Sequence, residues 1–185
     1  MSRRDPVWLA ESIAGRRVGL KGPQAAAALA AAGISVPPRP NSWAPLAAAE
    51  TDGSWNVVGR LGATEFFLEE AGAAPRIAAL EELIARGVAG AWPVLREDRA
   101  IVLGGGAADA VLAQTCNVEL AAVPGAKTVI MTSMIGVGVL VLPQIDDEDG
   151  PVYRIWCDPS YGAYLWDELE TMVERITTGE RNERR

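Results

Sequence analysis

The chain repeats itself once, and that repeat limits the folds open to it. Val18–Ala30 (VGLKGPQAAAALA) and Ile101–Ala113 (IVLGGGAADAVLA) align without a gap. Leu20 meets Leu103, Gly22 meets Gly105, Ala25 meets Ala108, Ala27 meets Ala110, Leu29 meets Leu112 and Ala30 meets Ala113. Each copy is a short apolar strand, a glycine turn and an alanine-rich helix whose Ala25, Leu29 and Ala32 spacing keeps one apolar stripe.

The segments after the two copies also correspond. Trp55–Glu69 (WNVVGRLGATEFFLE) reads as two strand pieces meeting around Gly62-Ala63. Pro75–Gly87 reads as a helix, with proline at its start, Ile77, Leu80, Leu83 and Ile84 on one face, and Gly87 as its stop. In the second half Thr128–Leu142 is rich in Val, Ile and Met and reads as strand. Asp146–Gly150 forms an acidic turn and Val152–Cys157 the return strand. Asp158-Pro159-Ser160 opens a last helix, whose buried face is expected to carry Tyr161, Tyr164, Leu165, Leu169, Met172, Val173 and Ile176.

Each half thus reads strand–helix–strand–strand–helix, close to half of a split βαβ, ferredoxin-like arrangement. Two halves pairing about a pseudo-twofold axis give a single compact α+β domain. The expected boundaries are an N-terminal segment 1–17, a domain 18–176 with halves 18–90 and 100–176, and a polar, frayed tail 177–185. Gly33–Trp43 holds Pro37, Pro38 and Pro40 and reads as an extended surface segment with a polyproline bias.

Composition narrows the function. With 49% hydrophobic and 22% charged residues over 185 positions, there is material for a core and global disorder is excluded. A net charge of −7 disfavours nucleic acid and anionic membrane as partners. The chain has no histidine. Ser-His-Asp and Cys-His nucleophile systems and His-ligated zinc or iron are therefore excluded, and no imidazole moves protons near neutral pH. Cys116 and Cys157 lie far apart without CxxC spacing and are expected as buried thiols. Neither the start of the chain nor the apolar run Val129–Leu142 is long enough for an export signal or a membrane span, so a cytoplasmic protein is expected.

Several motifs have a chemical and a plainer meaning. Strand, Gly104-Gly105-Gly106 and helix resemble a dinucleotide cradle, but Asp109 stands where a third glycine belongs. The other copy has Lys21-Gly22-Pro23 at this turn, so the turn reads as architecture; a lysine beside a tight turn is likewise plainer than an anion nest. Asp146–Asp149 before Gly150 lacks the flanking helices and closing glutamate of a calcium loop. Arg60, Glu65, Glu69 and Glu70 surround Phe66-Phe67, as an acid–base pair or as a charged rim beside two buried rings. Cys116 has no cationic neighbour to activate it. No residue is assigned to catalysis, cofactor or metal. Trp8 and Trp43 sit where no core element is expected, and with Asn41 they are the candidate partner-interface residues; packing onto their own domain is the alternative.

The blocks from Gly19 to Trp43 (GLKGPQAAAALAAAGISVPPRPNSW), Arg60 to Glu70 (RLGATEFFLEE), Ala100 to Leu120 and Arg154 to Met172 resemble, in order and spacing, the gamma subunit of heterotetrameric sarcosine oxidase. That subunit belongs with the glycine-cleavage T-protein and related folate-binding aminomethyltransferases, whose core is itself a duplicated α+β unit. The resemblance implies a non-catalytic chain in a complex with alpha, beta and delta subunits. The partners would hold NAD, FAD, FMN, tetrahydrofolate and zinc, and the complex would demethylate sarcosine or a related secondary amine. No counterpart of the T-protein's catalytic aspartate is found. The alternative is a free-standing folate-binding protein, whose usual cysteine motif neither Cys116 nor Cys157 matches. A weaker reading is a nucleotide enzyme using Gly104–Gly106.

Overall fold

The computed structural model describes residues 6–12, 15–46, 56–120, 127–146 and 150–183, of which 180–183 by backbone alone. Its contacts divide the chain into two units, Ile13–Glu97 and Asp98–Arg185 joined by Met1–Ser12. Elements are numbered along the whole chain, beginning with strand β1 (Trp8–Glu11).

The first unit contains β2 (Arg16–Lys21), α1 (Ala25–Ala31), β3 (Ser42–Pro45), β4 (Val57–Arg60), β5 (Glu65–Glu70), α2 (Pro75–Ala85) and β6 (Trp92–Val94). Its five strands form an antiparallel sheet in the order β3-β4-β5-β2-β6. Strand alternation sends Val18, Leu20, Val58, Phe66 and Leu68 into one core with Ala25, Ala28 and Leu29 of α1 and Ile77 and Leu80 of α2. Phe67 and Glu69, pointing the other way, are buried as well.

The second unit contains β7 (Arg99–Gly104), α3 (Ala108–Thr115), β8 (Ile130–Met134), β9 (Val137–Asp146), β10 (Gly150–Cys157), a 3-10 turn (Pro159–Tyr161) and α4 (Gly162–Glu183). Its antiparallel sheet runs β1-β7-β10-β9-β8. Ile101, Leu103, Tyr153 and Ile155 share a core with Val111 and Leu112 of α3 and Leu165, Leu169 and Val173 of α4.

The halves are therefore duplicated α+β units, each with ferredoxin-like strand order plus one edge strand, β3 or β8. Four sequence expectations change. Each half has one strand more than expected: β3 emerges from the proline segment, and the apolar run Thr128–Leu142 is a hairpin rather than one strand. The hairpin turns at Ile135 and Gly136, whose φ angles of 51° and 81° give the paired left-handed conformation of a tight turn. Trp8 lies in a strand, β1, which supplies the second unit's sheet with the edge that β6 gives the first. Tyr161 and Tyr164 are exposed instead of buried. The stretch read as a tail is helical through Glu183. Asp147–Asp149 of the acidic turn, and Trp55, lie outside the described residues. Among the described residues no helix is long and apolar enough to cross a membrane.

Candidate functional site

The two glycine turns are superposable in their hydrogen bonds. The Gly22 N–H donates to Thr64 O at 2.9 Å, Gln24 N–H to Gly90 O at 2.9 Å and Ala25 N–H to Gly22 O at 3.0 Å. The corresponding Gly105 N–H donates to Pro151 O at 3.2 Å, Ala107 N–H to Pro6 O at 2.9 Å and Ala108 N–H to Gly105 O at 3.0 Å. Gly22 and Gly105 hold φ of 126° and 106°, and a Cβ on either would collide with the carbonyl of Gly90 or Pro6. The amides of Gly105, Ala107 and Ala108, which a dinucleotide would need at this turn, are directed at the chain's own carbonyls, as are those of Gly22, Gln24 and Ala25 in the other copy, so the turn is architecture in both.

The charged group around Phe66-Phe67 is likewise dispersed into separate structural roles. The buried Glu69 pairs with Arg17. Glu70, also buried, accepts the N–H groups of Arg76 and Ile77 at the head of α2, each at 2.9 Å, and the Arg76 guanidinium at 2.9 Å. It thereby does from β5 what an N-cap side chain normally does. Glu65 faces Arg96 at 3.6 Å. The Arg60 guanidinium donates to the carbonyls of Gly62, Ala63, Pro37 and Pro38 at 2.9–3.3 Å and lies 5.7 Å from the Phe66 ring centroid. Glu69 and Glu70 are buried, so they are internal ion-pair and helix-head partners rather than a rim.

In the second unit Asp109, the residue at the third-glycine position, accepts a hydrogen bond from the Tyr153 hydroxyl. Burial first, then this bond and the aspartate's charge, push the Tyr153 pKa well above the ordinary phenol value. Burial also raises the Cys157 thiol. Cys116 is half-buried with its Sγ 4.0 Å from Thr132 Oγ1, and both cysteines are free.

The partner-interface candidates fall in different units. Trp8 is buried in β1, its indole lying against Gly104. Asn41 is exposed and left-handed at φ 56°, immediately before β3. Trp43 is half-buried on that edge strand, opposite Gly59. Asn41 and Trp43 thus share one edge, ordered by Arg60 from behind and by the Ser42 hydroxyl donating to Arg39 O. Trp92 and Leu95, 54% and 80% exposed at the other edge of the same sheet, were missed by sequence reasoning. The available signal was Trp92 itself, which takes the place in the first unit that Trp8 takes in the second.

Neither a protein-family model nor a curated protein matches the chain by sequence. Solved structures do match by shape. Heterotetrameric sarcosine oxidase from Corynebacterium sp. U-96, in complex with pyrrole 2-carboxylate, contains a chain that superposes with a TM-score of 0.71 at 23% identity, over 92% of this chain and 85% of that one. Glycine cleavage system aminomethyltransferase T from Bartonella henselae superposes with a TM-score of 0.62 at 19% identity, over 90% of this chain but only 46% of its own length. The duplicated sheets and helices described above are thus the fold shared by a sarcosine oxidase chain and the aminomethyltransferase T protein.

Proposed function

We propose that this chain is a non-catalytic subunit, of gamma type, in a sarcosine-oxidase-type flavoenzyme that demethylates sarcosine or a related secondary amine. The observation that carries the reading is the reach of the likeness. It spans nearly all of both chains for the heterotetrameric oxidase but under half of the aminomethyltransferase. That asymmetry supports the oxidase chain over the aminomethyltransferase as the better guide to this chain's role.

The chemistry available in the chain supports the same reading. The absence of histidine and the engagement of the buried Glu69 and Glu70 by Arg17, Arg76 and the head of α2 are consistent with that role. Its glycine turns bind their own carbonyls. In this reading FAD, FMN, NAD, tetrahydrofolate and zinc belong to alpha, beta and delta chains, the complex works in the cytoplasm, and this chain contributes buried partner surface.

The test is to tag the full chain in its own host, purify it gently, and record co-purifying chains together with the visible spectrum. A yellow assembly that oxidises a secondary amine is expected. A colourless, stable monomer that tightens on titration with a folate would replace this reading with a free-standing folate-binding protein, which the likeness to the aminomethyltransferase also favours.

A further inference from the structure

One end of the second unit, where α3, the β8–β9 turn and α4 meet, carries exposed apolar side chains. Val118, Tyr161 and Tyr164 are 41%, 55% and 47% exposed there. The turn is tied to both helices: the Ile135 N–H donates to Thr115 O at 2.8 Å, and the Tyr164 hydroxyl donates to Ile135 O at 3.5 Å. Tyr161 ends the 3-10 turn that leads into α4, three positions before Tyr164. Ile135 itself holds a left-handed φ of 51°, where a β-branched side chain is costly and asparagine or glycine is the ordinary choice. Only part of that isoleucine reaches the core; the rest adds to the surface.

The rim of this patch is mostly acidic; Arg99 of β7, which packs against Gly162, is paired with Glu11. Glu119, Asp158, Asp167 and Glu168 belong to the segments that form it, and residues 115–120, 134–137 and 158–168 contain no lysine or arginine. None of the four has an ion-pair partner among the described residues. The charge selects the occupant. A second copy in a twofold contact would set these carboxylates against themselves. Phosphate backbones and anionic headgroups are repelled. A protein surface with an apolar centre and an arginine-bearing rim is complementary, since guanidinium groups pair with carboxylates and stack on tyrosine faces.

We propose that this end of the second unit, centred on Tyr161, Tyr164 and Ile135, docks a partner subunit through an apolar centre ringed by arginines. The proposal rests on the heteromeric-subunit reading above.

The experiment uses the tagged full chain purified from its host with its partners. Assembly is measured by sedimentation at low and high salt for wild type, Y161S/Y164S, D167K/E168K and a control, I145S, at an exposed apolar residue of β9 opposite Pro151. Each tyrosine is expected to weaken assembly about tenfold. The charge reversal is expected to weaken it and to flatten its salt dependence, and the control to leave it unchanged. Circular dichroism melts verify that the variants are folded. Tyrosine and charge variants that assemble like wild type, or a loss confined to the control, overturn the proposal alone. A wild-type chain with no partner overturns this proposal and the subunit reading together. A homodimer dissolved by the tyrosine changes assigns the patch to a second copy and overturns it as well.

Discussion

Trp8 and Trp92 occupy the same place in the two sheets, opposite Gly104 and Lys21 respectively, yet Trp8 is 4% exposed and Trp92 54%. The difference starts with the residue opposite. Gly104 has no side chain, so the indole of Trp8 lies where a Cβ would stand; at Lys21 that space is taken, and the Trp92 ring rests against Gly22 instead. The repeat therefore preserves the backbone at this position while burying one tryptophan and exposing the other.

The glycine triplet gives the sharpest stability test, because its members differ in what surrounds them. On Gly104 a methyl must displace the Trp8 ring, and on Gly105 it would sit 2.6 Å from Pro6 O at φ 106°. Nothing lies within 4 Å of a Cβ on Gly106, whose φ is ordinary. Gly105→Ala is expected to cost about 2–3 kcal/mol, from the backbone strain and the collision together. Gly106→Ala should be neutral or stabilise by about 0.5 kcal/mol through the unfolded state. Urea unfolding of the three single variants decides it; equal effects at Gly105 and Gly106 would contradict this turn geometry.

Glu70 is expected to hold α2 at its start. Glu70→Ala removes the acceptor of two backbone N–H groups and leaves Arg76 without its carboxylate, which should cost about 3 kcal/mol. Glu70→Gln keeps an acceptor oxygen but loses the charge, and should cost less. Hydrogen exchange resolved by residue is the useful readout, since the loss of protection should begin at Arg76 and Ile77. An unchanged exchange pattern in Glu70→Ala would mean that Pro75 and the left-handed Ala74 suffice to start the helix.

These roles are legible in the sequence to unequal degrees, for identifiable reasons. The strand–turn–helix repeat is readable because its turn demands glycine at Gly22 and Gly105 for steric reasons, which leaves a mark in the letters. The strand β3 is hidden behind Pro37, Pro38 and Pro40, and Arg60 of the neighbouring strand holds the carbonyls of the first two. Pairing of β1 with β7 joins residues some ninety positions apart, and no local pattern encodes it. Extending the period of α4 backwards puts Tyr161 and Tyr164 on the buried face. Tyr161 belongs instead to a 3-10 turn before the helix, and Tyr164 precedes Leu165 by one position, which places it about 100° around α4 from the buried stripe Leu165, Leu169 and Val173. Glu69 and Arg17 look like surface charge because burial of a paired ion depends on a partner distant in sequence.

Tyr153 should make the second unit sensitive to alkali. Its phenol is held neutral in the fold by burial and by the hydrogen bond to Asp109, while the unfolded chain ionises it near pH 10. Between those two values the unfolded state has lost a proton that the folded state keeps. The stabilisation is therefore complete below about pH 10 and declines as pH rises above it. Tyr153→Phe is expected to cost about 1–2 kcal/mol at pH 7 and to flatten this alkaline decline. Thermal melts of both proteins from pH 7 to 11.5 provide the comparison. A parallel decline in the two would place the alkaline sensitivity elsewhere.

Strand β1 should owe its place to the seat that receives it, not to its position in the chain. The sheet of the second unit is completed by this strand from the beginning of the chain, seated by Ser12 N–H donating to Ala100 O, by Pro6 O accepting from Ala107, and by an Arg99–Glu11 ion pair. The first unit completes its own sheet with β6, which follows α2 directly. Removing residues 1–12 should therefore deprotect the amides of β7 and the head of α3 while leaving β2 and α1 protected. Moving the same twelve residues to follow α4 through a flexible linker would give the second half the element order of the first. That permuted chain is expected to recover the lost protection, because the seat is formed by residues 99–107 whichever end supplies the strand. Protection lost equally from both sheets on deletion, or not regained on permutation, would show that β1 acts through its covalent position and not through the seat alone.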